Sequence, residues 1–263
     1  MTQYPQWLAL HVPHSATHIP REVRKQFCLT GPDLEDELLK MTDHHTLELF
    51  AFGVPPAQVV HAAVSRLVVD MERFEDDQHE SMAATGMGVV YSRTHDGRAL
   101  RHALSVLQRR ALLARWYHPH HVRLAALCAD QLSRYGRSLV IDCHSFPATA
   151  LPYEADQRPN RPQICIGTDG FHTPPWLSEA LVNEFEADGF SVGLNAPFSG
   201  ALVPMGYFEK DARVAAAMVE VRRDLYMDEA TGQPLEHFSA FGVMLRQCLR
   251  RALQRAAGPE VSR

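Results

Sequence analysis

The sequence predicts a single α/β domain in which a mixed, mostly parallel sheet is sandwiched by helices. Three observations lead to this fold class. The chain has 263 residues, a length that suits one large domain. Apolar runs rich in β-branched residues recur along it and alternate with stretches of helical periodicity. Several of these runs, such as SLVIDC and AMVEV, are almost continuously apolar, as expected of strands that are covered on both faces.

The strands are expected at the apolar runs and the helices where apolar residues recur every three or four positions. The candidate strands are Trp7–Val12, Val59–Val64 together with Leu67–Met71, Ser138–Cys143, Gln163–Gly167, Phe190–Leu194 and Ala216–Val221. The candidate helices are Leu100–Trp116, Val122–Tyr135, Pro175–Asp188 and His237–Arg255.

The chain shows no internal repeat and no low-complexity linker. The Pro-rich stretch Ala148–Pro162 lies between two strong strands, so we interpret it as a loop within a domain. We therefore expect residues 1–258 to form one domain and residues 259–263 to be a frayed tail.

Composition, charge and cysteine content exclude several classes of protein. With 46% apolar and 22% charged residues, the chain is neither disordered nor fibrous. The formal net charge of −5 gives no reason to expect nucleic acid as a partner. Five cysteines without a CxxC pair argue against disulfides and a zinc knuckle. We find neither a signal peptide nor a membrane span, and we expect a cytoplasmic protein.

Polar side chains collect just after the apolar runs. His14 follows the first strand, Asp70 and Arg73 follow the second, and His144 and Glu220 come at the ends of two later ones. In open α/β sheets the ligand site lies outside the carboxyl ends of the strands. These side chains are therefore expected to converge in one small volume. The fifteen histidines of the chain make metal binding a natural hypothesis.

A catalytic zinc ion usually has three protein ligands and one open position. His14 and His144 are the expected nitrogen ligands, although any single histidine is more often a hydrogen-bonded structural residue. The oxygen ligand is expected from Asp43, Asp70 or Glu72. Asp43 stands at the head of a helical pattern, so the alternative for it is a helix N-cap. Asp70 is alternatively a partner for the free ring N–H of a ligand histidine.

Glu220 is the expected general base. A carboxylate at the end of a buried strand is partly desolvated, which raises its pKa. The alternative is a structural ion pair with Arg222 or Arg223. These two arginines, with Arg66 and Arg73, also favour an anionic substrate, because guanidinium groups bind carboxylates in a bidentate manner.

Covalent catalysis is the weaker hypothesis. Cys143 precedes His144, but neighbouring residues of a strand point to opposite faces, so the thiol is expected to face away from that imidazole. The serines Ser15 and Ser145 stand outside any GxSxG elbow.

Taken in order, the polar segments resemble the N-formylglutamate amidohydrolase family. The resemblance covers residues 7–229, and its motifs are short but occur in the family's order. The matching segments are Val12–Ser15 with Ile19-Pro20, Thr42-Asp43, Ser65–Arg73, Gly86–Val89 with Thr94–Gly97, Pro119–His121, Ile141–Ser145, Ile166–Thr168, Asn195–Gly200, and Glu220 with Tyr226-Met227.

The resemblance implies a zinc-carboxypeptidase-like fold of the phosphorylase/hydrolase-like type, related to the desuccinylases, with one zinc ion per chain. It implies hydrolysis of a small anionic N-acyl amino acid, typically N-formyl-L-glutamate to formate and L-glutamate, at the end of histidine degradation. His14 and His144 match the zinc-binding histidines and Glu220 the general base. Asp70 and Arg73 match a pair that supports a ligand histidine and holds the substrate carboxylate.

The resemblance leads us to place the third zinc ligand at Asp43 and substrate contacts at Arg73, His121, Asn195 and Arg223. The chain departs from the family pattern at a few positions of these motifs, namely Ala16, Glu72, His120, Ser199 and Ala201. Two alternatives therefore stay open: a zinc peptidase or deacetylase acting on peptide or cell-wall amides, and a binding domain that keeps the fold without the chemistry.

Overall fold

The computed structural model describes residues 4–257, in which strands and helices alternate much as the sequence predicts. The strands are β1 (Leu8–Val12), β2 (Val59–His61), β3 (Ser138–Phe146), β4 (Ile164–Gly167), β5 (Val192–Leu194) and β6 (Val214–Arg222). The helices are α1 (Arg21–Arg24), α2 (Pro32–Met41), α3 (Thr46–Ala51), α4 (Val106–Leu112), α5 (His118–Tyr135), α6 (Pro175–Ala187) and α7 (Phe238–Ala257). The tail expected at 259–263 lies outside the described residues.

The six strands form one mixed sheet in the order β2-β1-β3-β6-β4-β5. Strands β2, β1, β3 and β6 run parallel to one another, β4 is antiparallel to β6, and β5 is parallel to β4. The longest pairing joins β3 and β6 in register from Ser138 and Val214 to Phe146 and Arg222. The expectation of a mixed, mostly parallel sheet is therefore confirmed.

Helices cover both faces of the sheet. Alternate residues of the central strands, including Leu10, Ile141 and Val219, pack into a core shared with α3, α6 and α7. The opposite face, including Ala9 and Val140, packs against α5. Alternating side chains point to opposite sides of a pleated strand, so both faces of these strands are buried. This explains why the runs are almost continuously apolar in sequence.

The prediction of a strand at Leu67–Met71 is wrong. This run is an irregular segment that packs into a separate apolar cluster with Leu34, Tyr91 and Leu100, away from the sheet. Its backbone is satisfied locally, since Val68 N–H donates to Ser65 O and Asp70 N–H donates to Val89 O, each at 2.8 Å. Apolar runs of this length fit a core loop as well as a strand. The neighbouring strand β2 also ends early, at His61.

The two central helices differ from their expected bounds. Helix α4 begins at Val106, because Ser105 and Gln108 form a capping box at its start. The chain then continues through a π-helical turn, Leu113–Tyr117, directly into α5 at His118. A break before Val122 is therefore wrong: Pro119 lies in the first turn of α5, where its missing N–H costs little.

Candidate active site

The sheet places four polar side chains in two cross-strand pairs. His11 on β1 lies opposite Asp142 on β3, and His144 on β3 lies opposite Glu220 on β6. Each of the four lies two or four positions along its strand from Ala9, Val140 or Ala216, residues that face α5. Because side chains two positions apart point to the same side of a strand, all four lie on the face of the sheet that α5 covers. His144 and Glu220 are thus strand residues near the carboxyl ends of β3 and β6.

His14 follows β1 and its ring is fixed by Asp70. Nε2 of His14 lies 2.7 Å from Oδ1 of Asp70, whose Oδ2 accepts from Arg66 Nη2 at 2.9 Å and from the Tyr91 hydroxyl. Burial opposes ionisation of Asp70, but the charges of His14 and Arg66 hold its pKa well below the ordinary value. Since Nε2 is engaged, Nδ1 is left facing the cavity. It is buried and has no hydrogen-bond partner among residues 4–257.

His144 lies beside His14, with ring centroids 5.0 Å apart. Its Nδ1 is 3.1 Å from Oδ2 of Asp43, and its Nε2 is 3.0 Å from Oδ1 of Asp142. The structure therefore brings together the two histidines that the sequence selected. Asp70 binds Nε2 of His14, whereas Nε2 of His144 lies near both Asp142 and Glu72 without forming a hydrogen bond within residues 4–257.

Asp43 lies between the two imidazoles. Its Oδ2 is 3.7 Å from His14 Nδ1 and 3.1 Å from His144 Nδ1, while Oδ1 accepts from Arg223 Nη2 at 2.9 Å. The alternative of a helix N-cap fails, because α3 has no side-chain cap and only the backbone oxygen of Asp43 bonds Thr46.

Glu72 is a second carboxylate in reach of both imidazoles. Its Oε2 is 3.7 Å from His14 Nδ1 and its Oε1 is 3.1 Å from His144 Nε2. One ligand atom from each of His14, Glu72 and His144 lies within 4.8 Å of the others, as a common metal ion requires.

The charges around the two imidazoles suit a divalent cation. Five carboxyl groups surround them against three guanidinium groups in a largely buried volume, an acidic excess even when Glu220 is protonated: Asp43, Asp70, Glu72, Asp142 and Glu220 against Arg66, Arg73 and Arg223. Uncompensated buried charge is strongly unfavourable. Together with the unpartnered Nδ1 of His14, this donor set fits zinc, which binds imidazole and carboxylate.

Glu220 lies beside this cluster with Oε2 buried and unpartnered among the described residues. Burial raises its pKa to about 8, although His144 acts in the opposite direction. The alternative of a structural ion pair is not what the structure shows. Arg222 pairs with Asp224 at 2.7 Å, and Arg223 pairs with Asp43.

The imidazoles and Glu220 open into a cavity of about 430 Å³. Of the expected substrate contacts, Arg73, His121 and Arg223 line it. Nε of the Arg73 guanidinium is buried without a hydrogen-bond partner within residues 4–257 and lies 3.9 Å from Asp70. Nε2 of His121 is likewise buried and unpartnered there.

Two of the expected substrate contacts have other partners. Arg223 donates to Asp43, to Ser145 and to the backbone oxygen of Lys40, so its guanidinium positions Asp43. Asn195 lies outside the residues that line the cavity. It closes the turn after β5 with φ of 55° and bonds Thr168 through both ends of its amide. Such local bonding is typical of turn residues.

Cys143 faces away from the cavity. It packs into the core under α3, α6 and α7, and burial raises the pKa of its thiol well above the ordinary value. A thiolate nucleophile at this position is therefore unsupported, as the strand alternation predicts.

Sequence reasoning missed a buried hydrogen-bond chain behind His144. His11 Nδ1 donates to Asp142 Oδ1 at 2.7 Å, and His11 Nε2 is 2.7 Å from His120 Nε2. Burial lowers the pKa of His120 to about 2, so its ring is neutral. Cross-strand register brings His11 to Asp142. No local motif carries that information.

Imidazole and carboxylate groups gathered in a cavity at the carboxyl ends of an α/β sheet are typical of hydrolytic enzymes. The family model for N-formylglutamate amidohydrolase matches residues 7–227. The chain therefore belongs to this family of hydrolases, which act on amide C–N bonds.

Individual relatives agree with this assignment. N-formylglutamate deformylase of Pseudomonas aeruginosa is 30% identical over 228 residues, which is 84% of this chain and 82% of that protein. The enzyme of the same name from Pseudomonas putida is 28% identical with the same coverage.

Solved structures show the same fold. The crystal structure of N-formylglutamate amidohydrolase from Ralstonia eutropha matches with a TM-score of 0.82 and 23% identity, over 97% of this chain and 95% of that one. A gene product of Agrobacterium tumefaciens matches with a TM-score of 0.69 and 19% identity, over 97% and 93% of the two chains. Within residues 4–257, no helix has the length and apolar character needed to cross a bilayer.

Proposed function

We propose that this protein is a zinc-dependent amidohydrolase that cleaves the amide bond of a small N-formyl amino acid, releasing formate and the free amino acid. The observation that carries the proposal is the pair of imidazoles at 14 and 144, which lie side by side next to Glu220 in one cavity. The relatives' names point to N-formyl-L-glutamate as the first substrate to test.

His14, His144 and Asp43 are the proposed zinc ligands. Ligand atoms about 2.0–2.2 Å from a tetrahedral zinc lie about 3.3–3.6 Å from each other. The Asp43 Oδ2 distances of 3.7 and 3.1 Å to the two Nδ1 atoms bracket this range. Asp70 binds Nε2 of His14 and so leaves Nδ1 of that ring available to a metal, and Nδ1 is the atom of His144 that Asp43 approaches. Glu72 is the alternative oxygen ligand, with His144 then using Nε2.

Zinc at this position would polarise the acyl carbonyl and lower the pKa of a bound water. Glu220 accepts a proton from the attacking water and delivers it to the amine nitrogen as the C–N bond breaks. Arg73, whose Nε has no hydrogen-bond partner among the described residues, binds the substrate carboxylate in a bidentate manner. Arg223 keeps Asp43 in place from the other side. The products are formate and the free amino acid.

The test combines metal content with hydrolysis. Purified protein is expected to contain about one zinc per chain and to release formate from N-formyl amino acids. His14→Ala should lose both zinc and turnover, whereas His79→Ala, at a side chain 75% exposed, should keep both. Absence of zinc together with absence of hydrolysis across an N-formyl and N-acetyl panel would refute the proposal.

The third ligand is tested by comparing Asp43→Ala with Glu72→Ala. The true ligand is the residue whose loss lowers zinc affinity more, measured by competition with a chromogenic chelator. Zinc affinity of each variant is compared with that of the wild type. A larger loss of affinity in Glu72→Ala than in Asp43→Ala would identify Glu72 as the third zinc ligand.

The five cysteines are all free thiols in the structure. This fits the reducing environment of the cytoplasm, which we propose as the location. A role at the end of histidine degradation is the corresponding proposal for the pathway, and it depends on activity toward N-formylglutamate.

A further inference from the structure

Both apolar and polar side chains line the cavity away from the imidazoles. Large aromatic and aliphatic side chains line it, among them Phe74, Leu151, Phe198, Val203, Met205 and Phe208. Phe74 is 40% and Met205 is 55% exposed. Neither side chain packs into one of the three apolar clusters. Phe74 and Phe208 pack edge to face with centroids 6.4 Å apart. Exposed apolar surface inside a cavity is typical of a binding site for an apolar group.

Among the residues that the structure describes, the lining of this cavity contains three arginines and no lysine. Arg66 donates to Asp70 and Tyr91, and Arg223 is committed to Asp43, Ser145 and the backbone of Lys40.

Arg73 is the remaining guanidinium, with Nε unpartnered within residues 4–257. His121 adds no charge at neutral pH, because burial lowers its pKa to about 4.

One free guanidinium can pair with one carboxylate. Every N-acyl amino acid presents its α-carboxylate, and a glutamate side chain would present a second. That second carboxylate would enter a cavity that other acidic side chains, among them Glu72 and Glu220, already line. An anion beside other carboxylates and without a counter-charge is disfavoured, whereas an apolar side chain gains from contact with the apolar part of the wall.

We propose that this cavity selects N-acyl amino acids with an uncharged, apolar side chain, such as methionine or leucine, over those with an acidic side chain. The inference rests on the proposed function and names the substrate class of the same site. Arg73 takes the α-carboxylate, and the wall around Phe74, Met205 and Phe208 takes the side chain.

The test is a panel of three substrates of similar size: N-formyl-L-methionine, N-formyl-L-glutamine and N-formyl-L-glutamate. Glutamine and glutamate have nearly the same shape and differ in charge. The ratio of kcat/KM for these two substrates therefore measures the effect of the side-chain charge alone. We expect kcat/KM to fall in the order given, with methionine preferred over glutamate by about tenfold or more. Equal or better turnover of N-formylglutamate would overturn the inference while supporting the proposed function.

If no substrate is hydrolysed, binding measurements test the selectivity separately from the proposed function. Calorimetric titration of the zinc-loaded protein with the same three compounds measures the preference without chemistry. Tighter binding of the methionine compound with no hydrolysis would refute the proposed function and support the selectivity. Tighter binding of the glutamate compound would overturn the selectivity whatever the activity.

A charge introduced into the wall provides the matched variant. Phe74→Arg should raise kcat/KM for the glutamate substrate relative to the methionine substrate by about tenfold or more. Leu107→Arg, on a side chain 77% exposed and outside the cavity lining, adds the same charge and should leave the ratio unchanged. Met205→Lys repeats the test at a second wall position if Phe74→Arg folds poorly. An unchanged ratio in the folded wall variant would overturn the inference.

Discussion

Replacing Arg223 with methionine is expected to destabilise the fold as well as the site. The Arg223 guanidinium is buried and donates to Asp43 at 2.9 Å, to the backbone oxygen of Lys40 at 2.7 Å and to Ser145 at 3.2 Å. Methionine has a similar length and no donors. The substitution therefore leaves the carboxylate of Asp43, which is 2% exposed, with only the two imidazoles as partners.

Removing one partner of a buried ion pair costs about 3–5 kcal/mol when the other charge is left uncompensated, and contacts of Asp43 with the imidazoles place this site at the lower end of that range. In a domain of roughly this size, 1 kcal/mol corresponds to about 2–4 °C in Tm. Arg223→Met should therefore lower the Tm of the metal-free protein by an amount in the lower part of a range of about 6–20 °C. Zinc affinity should fall as well, since Asp43 loses the contact that orients Oδ2 toward the two imidazoles.

The matched comparison is Arg73→Met, which removes the same charge from the same cavity. Arg73 has only a 3.9 Å contact with Asp70, so its loss should change Tm by a few degrees at most. It should instead raise KM about tenfold or more, as expected for the loss of a charge-assisted hydrogen bond to the substrate.

Thermal melts by circular dichroism and steady-state kinetics on N-formyl amino acids measure both effects. If Arg223→Met melted with the wild type and raised KM alone, Arg223 would be the substrate anchor that the sequence pattern suggested, and the positioning role would be refuted.

Three further outcomes are expected. Glu220→Gln should retain zinc, measured by elemental analysis, and lower kcat by about 10²–10⁴-fold, as for the loss of a general base; normal turnover would exclude Glu220 from that role. Asp70→Asn should weaken zinc binding about 10–100-fold in chelator competition, because the ring of His14 loses its anionic partner; unchanged affinity would contradict Nδ1 coordination. The hydrogen bond to Glu37 raises the pKa of His95, so its stabilisation is fully present below the ordinary histidine pKa and is lost as pH rises through the raised value. Glu37→Gln should therefore lower Tm more at pH 6 than at pH 9, and an equal loss at both would contradict this linkage.

Local pattern was sufficient to predict that three of the candidate residues lie close together. His14, His144 and Glu220 were selected because each follows or ends an apolar run, and the carboxyl ends of neighbouring strands meet at one edge of a sheet. The parallel register of β1, β3 and β6 brings these residues together. The fold class was predictable for the same reason, since continuous apolar runs alternating with helices admit few other arrangements.

Local pattern failed where a side chain's partner is distant in sequence. Arg223 and Asn195 both looked suited to substrate binding. Arg223 is held by Asp43, 180 positions away, and Asn195 by Thr168 on a neighbouring turn. The run Leu67–Met71 was mistaken for a strand because burial in a second core gives the same apolar pattern as burial in a sheet.

The amino-acid sequence by itself determined the order of strands and helices and the positions where imidazole and carboxylate groups follow apolar runs, because periodicity and residue type are local properties. Only the tertiary structure decided which arginine is free, which carboxylate faces each imidazole and how apolar the cavity wall is. Those properties depend on contacts between residues far apart in the chain. A charged side chain that already has a hydrogen-bond or ion-pair partner positions other residues, whereas one without a partner can bind a ligand.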